Sequence, residues 1–240
     1  MDTYEKLRQT LIKTMESENW AEEKVQVKVR TLTPEEAIGD PEHRDYPLIK
    51  GRERMMAAEF RGCQGQAFTD RFGEFQGSLQ EVANMELSNN FRRAVFLASL
   101  NAVLRAHGKV EKTIHCKDEA PPNCAAQLAE MVAERFGNPK VALVGLQPRM
   151  AQALATRFEL RITDMDQDNI GQKRFGVVVE SEKETASVLD WCDLALVTGT
   201  TFSNASVTSM LNGKPVIFYG VTVAGPAAAL GLDRFCPLAS

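Results

Sequence analysis

The sequence predicts an α/β protein: a small α+β domain at residues 1–120, then a Rossmann-like domain at residues 121–240 whose parallel sheet is flanked by helices. Beyond residue 140, short apolar runs alternate with helical patterns, the rhythm of a parallel sheet covered on both faces. Before residue 120 the pattern is different, with period-two strands and one helix that is apolar on nearly every side. The 240 residues, 44% hydrophobic and 25% charged, suffice for two modest domains that each bury a core.

Residues 3 to 16 set Leu7, Leu11, Ile12 and Met15 at helical spacing among charges, an amphipathic helix. "KVQVKVR" alternates Val25, Val27 and Val29 with polar residues, a half-buried strand. A turn at Pro34 follows, then a polar loop from Asp40 to Arg54. In "MMAAEFRGCQGQAFTD" alternation and glycines predict short strands joined by tight turns. Ser78 and Glu81 have the spacing of a capping box and should open a helix. The next helix, Ala94 to Leu104, is apolar all round and so enclosed by neighbours. Within it, Asn101 needs partners, either backbone groups or a ligand, because a buried unpaired amide costs about 1–3 kcal/mol.

Pro121 and Pro122 suit the first turn of a helix that should end at Gly137, and the domain boundary is placed near this helix. Strands follow at "KVALVGL", "ELRITD", "GVVVE", "DLALVTG" and "PVIFYG". The helices between and after them run through "MAQALATRF", "KETASVLDW", "ASVTSML" and "AAALG".

Charge excludes one class of partner: 28 basic against 32 acidic residues, with no long basic run, leave no footprint for nucleic acid. The N-terminal stretch lacks the apolar core of a signal peptide, and no stretch nears the roughly 20 apolar residues of a membrane span, so a cytoplasmic protein is expected. Five cysteines at irregular spacing point to free thiols or metal ligands rather than a disulfide framework.

In an open parallel sheet, ligands lie beyond the carboxyl ends of the strands. One such end, "VALVGLQPRM", has Gly145, but Gln147 and Met150 stand where a dinucleotide fingerprint would have glycines, which disfavours ordinary NAD chemistry. The next, "ITDMDQDN", places Asp164 about twenty residues on, where such folds hold a ribose, with Asp166 and Asp168 at alternate positions. An acidic turn that caps its own segment is the plainer alternative. In "TGTTFSN", positive φ would explain Gly199 and an N-cap would explain Ser203 or Asn204. Thr200 and Thr201, with Asn204, are read as ligand-binding. Separately, His115, Cys116 and Cys124 in "TIHCKDEAPPNC" could hold a soft transition metal, although adjacent ligands meet one ion only in a bent segment.

Taken together, "VGLQP", "DMDQDNIG" and "CDLALVTGTTFSN" resemble the family described as putative heavy-metal chelation proteins, a domain of unknown function. The segments "EFRGCQGQAFTD", "NNFRRAVFLASLNAVL" and "KTIHCKDE" resemble its preceding domain, similar in fold to the N-terminal domain of enolase. The resemblance implies a site in the cleft between two domains. It does not import enolase catalysis, since about 110 further residues cannot build a barrel of roughly 250.

Three hypotheses follow. The leading one is binding of a small anionic or metal-chelating metabolite in the cleft, with Gly145, Asp164, Asp166, Thr200, Thr201, Asn204 and Asn101 as ligand-binding residues. The second is an enzyme acting on a nucleotide-like or carbonyl substrate, with Asp164 positioning and His115 as acid or base. The third is a structural or homo-oligomeric protein with a filled cleft.

Overall fold

The computed structural model describes residues 2–20, 26–50, 53–211 and 213–240. Helix α1 (Thr3–Ser17) buries Leu7, Leu11 and Met15, the stripe its spacing predicts. Strand β1 (Gln26–Thr31) follows, and Val25, expected in it, lies outside the described residues. Where only a turn was expected there is a short helix, α2 (Pro34–Ile38), opened by a Thr33–Glu36 capping box. The Asp40–Arg54 loop contains one helical turn, α3 (Pro47–Lys50).

Strands β2 (Arg54–Phe60) and β3 (Cys63–Thr69) form a hairpin whose turn residues Arg61 and Gly62 both have positive φ. Strand β4 (Phe75–Ser78) completes an antiparallel sheet in the order β3-β2-β1-β4. The Ser78–Glu81 capping box opens α4 (Leu79–Ala83) as its spacing predicts. Helix α5 (Asn90–Ala106) is buried continuously from Ala94 to Leu104.

The second half begins with α6 (Ala120–Phe136), which ends at Gly137 with φ +74°. Then come β5 (Val141–Val144), α7 (Pro148–Ala155), β6 (Leu160–Asp164), β7 (Lys173–Arg174), β8 (Val177–Ser181), α8 (Thr185–Trp191) and β9 (Leu194–Thr198). Helical turn α9 (Thr200–Ser203), β10 (Val216–Tyr219), α10 (Ala224–Leu230) and β11 (Asp233–Phe235) complete it. The "ASVTSML" helix is not formed as expected. The α-helical turn lies earlier, at Thr200–Ser203, and only a 3-10 turn occupies Val207–Met210.

The seven strands lie in the order β11-β10-β9-β5-β6-β8-β7, and only β7 runs antiparallel to its neighbour. Numbered along the chain, the six parallel strands take the doubly wound order 3-2-1-4-5-6, reversing between β5 and β9. In open α/β sheets the crevice that holds ligands lies at such a reversal, here at the carboxyl ends of those two strands.

The halves share one core. Phe96, Leu97 and Leu100 of α5 belong to the same buried cluster as Phe202, Val223 and Ala224 of the second half. Each of the larger side chains among them contributes roughly 1.5–3 kcal/mol by leaving water. Polar ties cross the same boundary: Tyr4 donates to the Phe202 carbonyl at 2.6 Å, and Arg93 to the Ser203 carbonyl at 2.8 Å. A further cluster joins Leu32, Tyr46, Leu48 and Met55 to Val221, which follows β10. The first half therefore caps part of the carboxyl edge of the parallel sheet.

Candidate functional site

The crevice is shaped by close backbone approach. Gly145 follows β5 with φ +87°, and a Cβ there would stand 2.7 Å from Thr198 Cγ2, so glycine is required twice over. Across it, the Tyr219 hydroxyl donates to the Gly145 carbonyl at 2.6 Å, and burial raises the phenol's pKa. Gly199 corrects the positive-φ expectation: its φ is −60°. It is small because a Cβ would meet the Val223 nitrogen at 2.9 Å.

Asp164, at the end of β6, accepts from the Leu146 N–H and the Asp166 N–H, both at 2.7 Å. One carboxylate thus ties the loop after β5 to its own turn. Burial raises its pKa in spite of these bonds. Asp166 accepts from the Asp168 N–H at 3.0 Å, so the acidic turn organises its own backbone. Glu53, which immediately precedes β2, is brought against this turn: burial first, and then the carboxylates of Asp164, Asp70 and Asp166, push its carboxyl up to about 7. Sequence reasoning missed Glu53, because a glutamate in a polar stretch carries no signal until the fold buries it.

The threonines divide. Thr201, 2% exposed, donates its hydroxyl to the Thr198 carbonyl at 2.8 Å and holds its own turn. Thr200 is half-buried, and its hydroxyl lies 3.2 Å from that of Thr198. Asn204 is the C-cap of α9, not the N-cap of a following helix. Its Oδ1 accepts from the Ser206 N–H at 3.1 Å and its amide reaches Met165 Sδ at 3.3 Å, linking the β9 and β6 loops. Gly145, Asp164, Asp166, Thr200 and Asn204 thus belong to connected loops at one edge. Asn101 stands apart, its amide engaged by the Gln66 and Val221 carbonyls and by the Gly225 N–H.

His115 packs edge-on to Phe68, and its Nδ1 lies 2.5 Å from the Cys116 carbonyl. Burial lowers its pKa, favouring neutral imidazole. Cys116 and Cys124 sit near Cys236, and burial pushes both thiols up to about 12. The sequence did not single out Cys236. Among the described residues no group of three or more His, Cys, Asp or Glu side chains is arranged to hold a metal ion. A soft metal binds thiolate, so any ion here would have to displace the protons that burial holds on these thiols.

Beside the edge, Arg149 at the start of α7 pairs with Asp45 at 2.7 Å and donates to Gln152 at 2.9 Å. Its Nε, Asp45 Oδ1 and the Tyr46 hydroxyl are nonetheless buried without hydrogen-bond partners. Each such group costs on the order of 1–3 kcal/mol. Burial pushes the Tyr46 phenol up to about 12, so it keeps its proton at neutral pH. Two hollows, of about 280 and 470 Å³, lie elsewhere and touch none of Gly145, Asp164 or Thr200.

Residues 127–231 match the model of the DUF364 family, described as "Putative heavy-metal chelation". No curated protein matches the chain. Among solved structures it is similar to a DUF364 protein of unknown function from Pyrococcus horikoshii, with 12% identity, a TM-score of 0.58, and coverage of 92% of this chain and 80% of that one. It is also similar to one from Desulfitobacterium hafniense, with 15% identity, a TM-score of 0.50, and coverage of 74% and 72%. At such identity the likeness speaks for fold alone. The resemblance read from the sequence is matched: residues 127–231 match the DUF364 family model, and the chain shares over most of its length the fold of solved proteins of that family.

Proposed function

We propose that the chain binds a small metal-chelating metabolite at the carboxyl edge of its parallel sheet, between a domain of residues 1–120 and one of residues 121–240. The meeting of Glu53, from the first half, with Asp164, at the end of β6, carries this reading. Together they offer carboxyl oxygens to a ligand's amine or hydroxyl groups beside the β5–β9 reversal, where open α/β sheets hold ligands. The family description points to metal chelation, and a chelate rather than a bare ion suits a chain in which, among the described residues, no group of three or more donor side chains is arranged to hold a metal. Free thiols suit the cytoplasm.

A second reading, catalysis on a nucleotide-like or carbonyl substrate, draws on the same Glu53: a carboxyl near 7 can both give and take a proton at neutral pH. Native mass spectrometry of the purified chain, with elemental analysis, tests both. A copurified small molecule, with or without its metal, that is lost in Glu53→Gln and recovered unchanged after incubation supports binding. Conversion of that molecule supports the enzyme. Bare protein that takes up no chelate would sink the leading reading.

A further inference from the structure

We infer that Asp45, Tyr46 and Arg149 form a second part of this site, one that recognises an amino- or hydroxy-carboxylate beneath the ring of Phe175. This rests on the proposed binding function and names the chemistry of its ligand.

The unpartnered atoms define that chemistry. Arg149 Nε and the Tyr46 hydroxyl are donors without acceptors, and Asp45 Oδ1 is an acceptor without a donor. Arg149 is 8% exposed and Tyr46 7%, so bulk water satisfies neither. A carboxylate meets the two donors, and an amine or hydroxyl on the adjacent carbon meets the acceptor. The Arg149–Asp45 pair at 2.7 Å holds opposite charges side by side, which suits a ligand bearing both kinds of group better than a simple anion. The same two groups on neighbouring carbons are what make small hydroxy and amino acids chelate metals, in keeping with the reading above.

The cover stands at the edge of the sheet. Phe175 lies 5.6 Å over the Arg149 guanidinium and is 38% exposed. It occupies, with φ +51°, the two-residue turn it shares with Gly176 between β7 and β8. β7 has two residues and ends the sheet, so the turn can lift without breaking the parallel ladder. On the same connection, Asn169 Oδ1 and Arg174 Nε are also buried without partners, a further acceptor and donor.

The test uses the full chain and four probes followed by ligand-observed NMR: lactate and glycine, which carry both groups, propionate, which has only the carboxylate, and ethanolamine, which lacks one. Lactate or glycine should bind saturably and at least tenfold more tightly than propionate and ethanolamine. Because the Tyr46 hydroxyl has no protein partner, Tyr46→Phe should leave the melting temperature unchanged or higher, while probe affinity falls about tenfold; Arg149→Lys should weaken binding as well. Equal binding by wild type and Tyr46→Phe overturns the assignment. Probe binding weakened by Glu53→Gln but not by Tyr46→Phe does so too, and leaves the edge site standing. No saturable binding by any probe means that ordered water alone fills these positions. If a copurified ligand is present in that case, the proposed function survives and this inference does not.

Discussion

Asn101 Oδ1 accepts the Gly225 N–H at 2.6 Å, while its amide nitrogen lies 2.9 Å from the Gln66 carbonyl and 3.1 Å from that of Val221. One side chain in α5 thereby ties β3 of the first sheet to the start of α10. Replacing it with leucine keeps the volume and leaves buried backbone groups unpaired, each worth about 1–3 kcal/mol. Asn101→Leu should lower unfolding free energy by about 3 kcal/mol in urea titrations. A loss under about 1 kcal/mol would show that the bridge is dispensable.

Gly145→Ala should cost more than Gly137→Ala. Both positions have positive φ, which a residue with a Cβ adopts only at a cost. At Gly137 nothing lies within 4 Å of the added carbon, whereas at Gly145 it meets Thr198 Cγ2 at 2.7 Å. Urea unfolding of the two variants should differ by about 1 kcal/mol or more, and equal losses would contradict the close approach across the crevice.

Glu53 makes stability depend on pH. Its carboxyl titrates near 7 in the folded chain against an ordinary 4.5, so the folded state holds the proton more tightly. The stability this contributes is complete below the ordinary value and is lost as pH rises through the folded one. Glu53→Gln should therefore melt with the wild type near about pH 4 and above it near about pH 8. A gap that is constant, or that widens toward acid, would refute the burial of this carboxyl.

Thr200 and Thr201 should separate by function. Thr201→Val removes a buried hydroxyl from the Thr198 carbonyl and should cost about 1–2 kcal/mol of stability. Thr200→Val removes only a half-buried contact with the Thr198 hydroxyl at 3.2 Å and should cost less stability than Thr201→Val, while weakening any ligand of the edge. Identical melting curves for the two variants would contradict this division.

Much of the fold was legible because its signals are local. The Ser78–Glu81 capping box, the all-round apolar run of α5, the prolines opening α6 and the alternation of strands and helices after residue 140 each depend on neighbours within a few turns. The Thr33–Glu36 box was equally local and could have located α2. β7 and β11, of two and three residues, are too short to carry a period. α9 is a single turn whose residues favour strand as readily as helix.

The class of the fold, the two rhythms of the chain and the loops that end its parallel strands can be read from the sequence, because backbone propensity and side-chain periodicity act over short range. Which of those loops meet follows only from long-range packing. Gly199 is small because Val223 lies against it, Asn101 is satisfied by carbonyls 35 and 120 residues away, and Glu53 is a weak acid because folding buries it and brings it within reach of the Asp164 charge. Close approach and desolvation depend on residues far apart in the chain, and no window of sequence contains both partners.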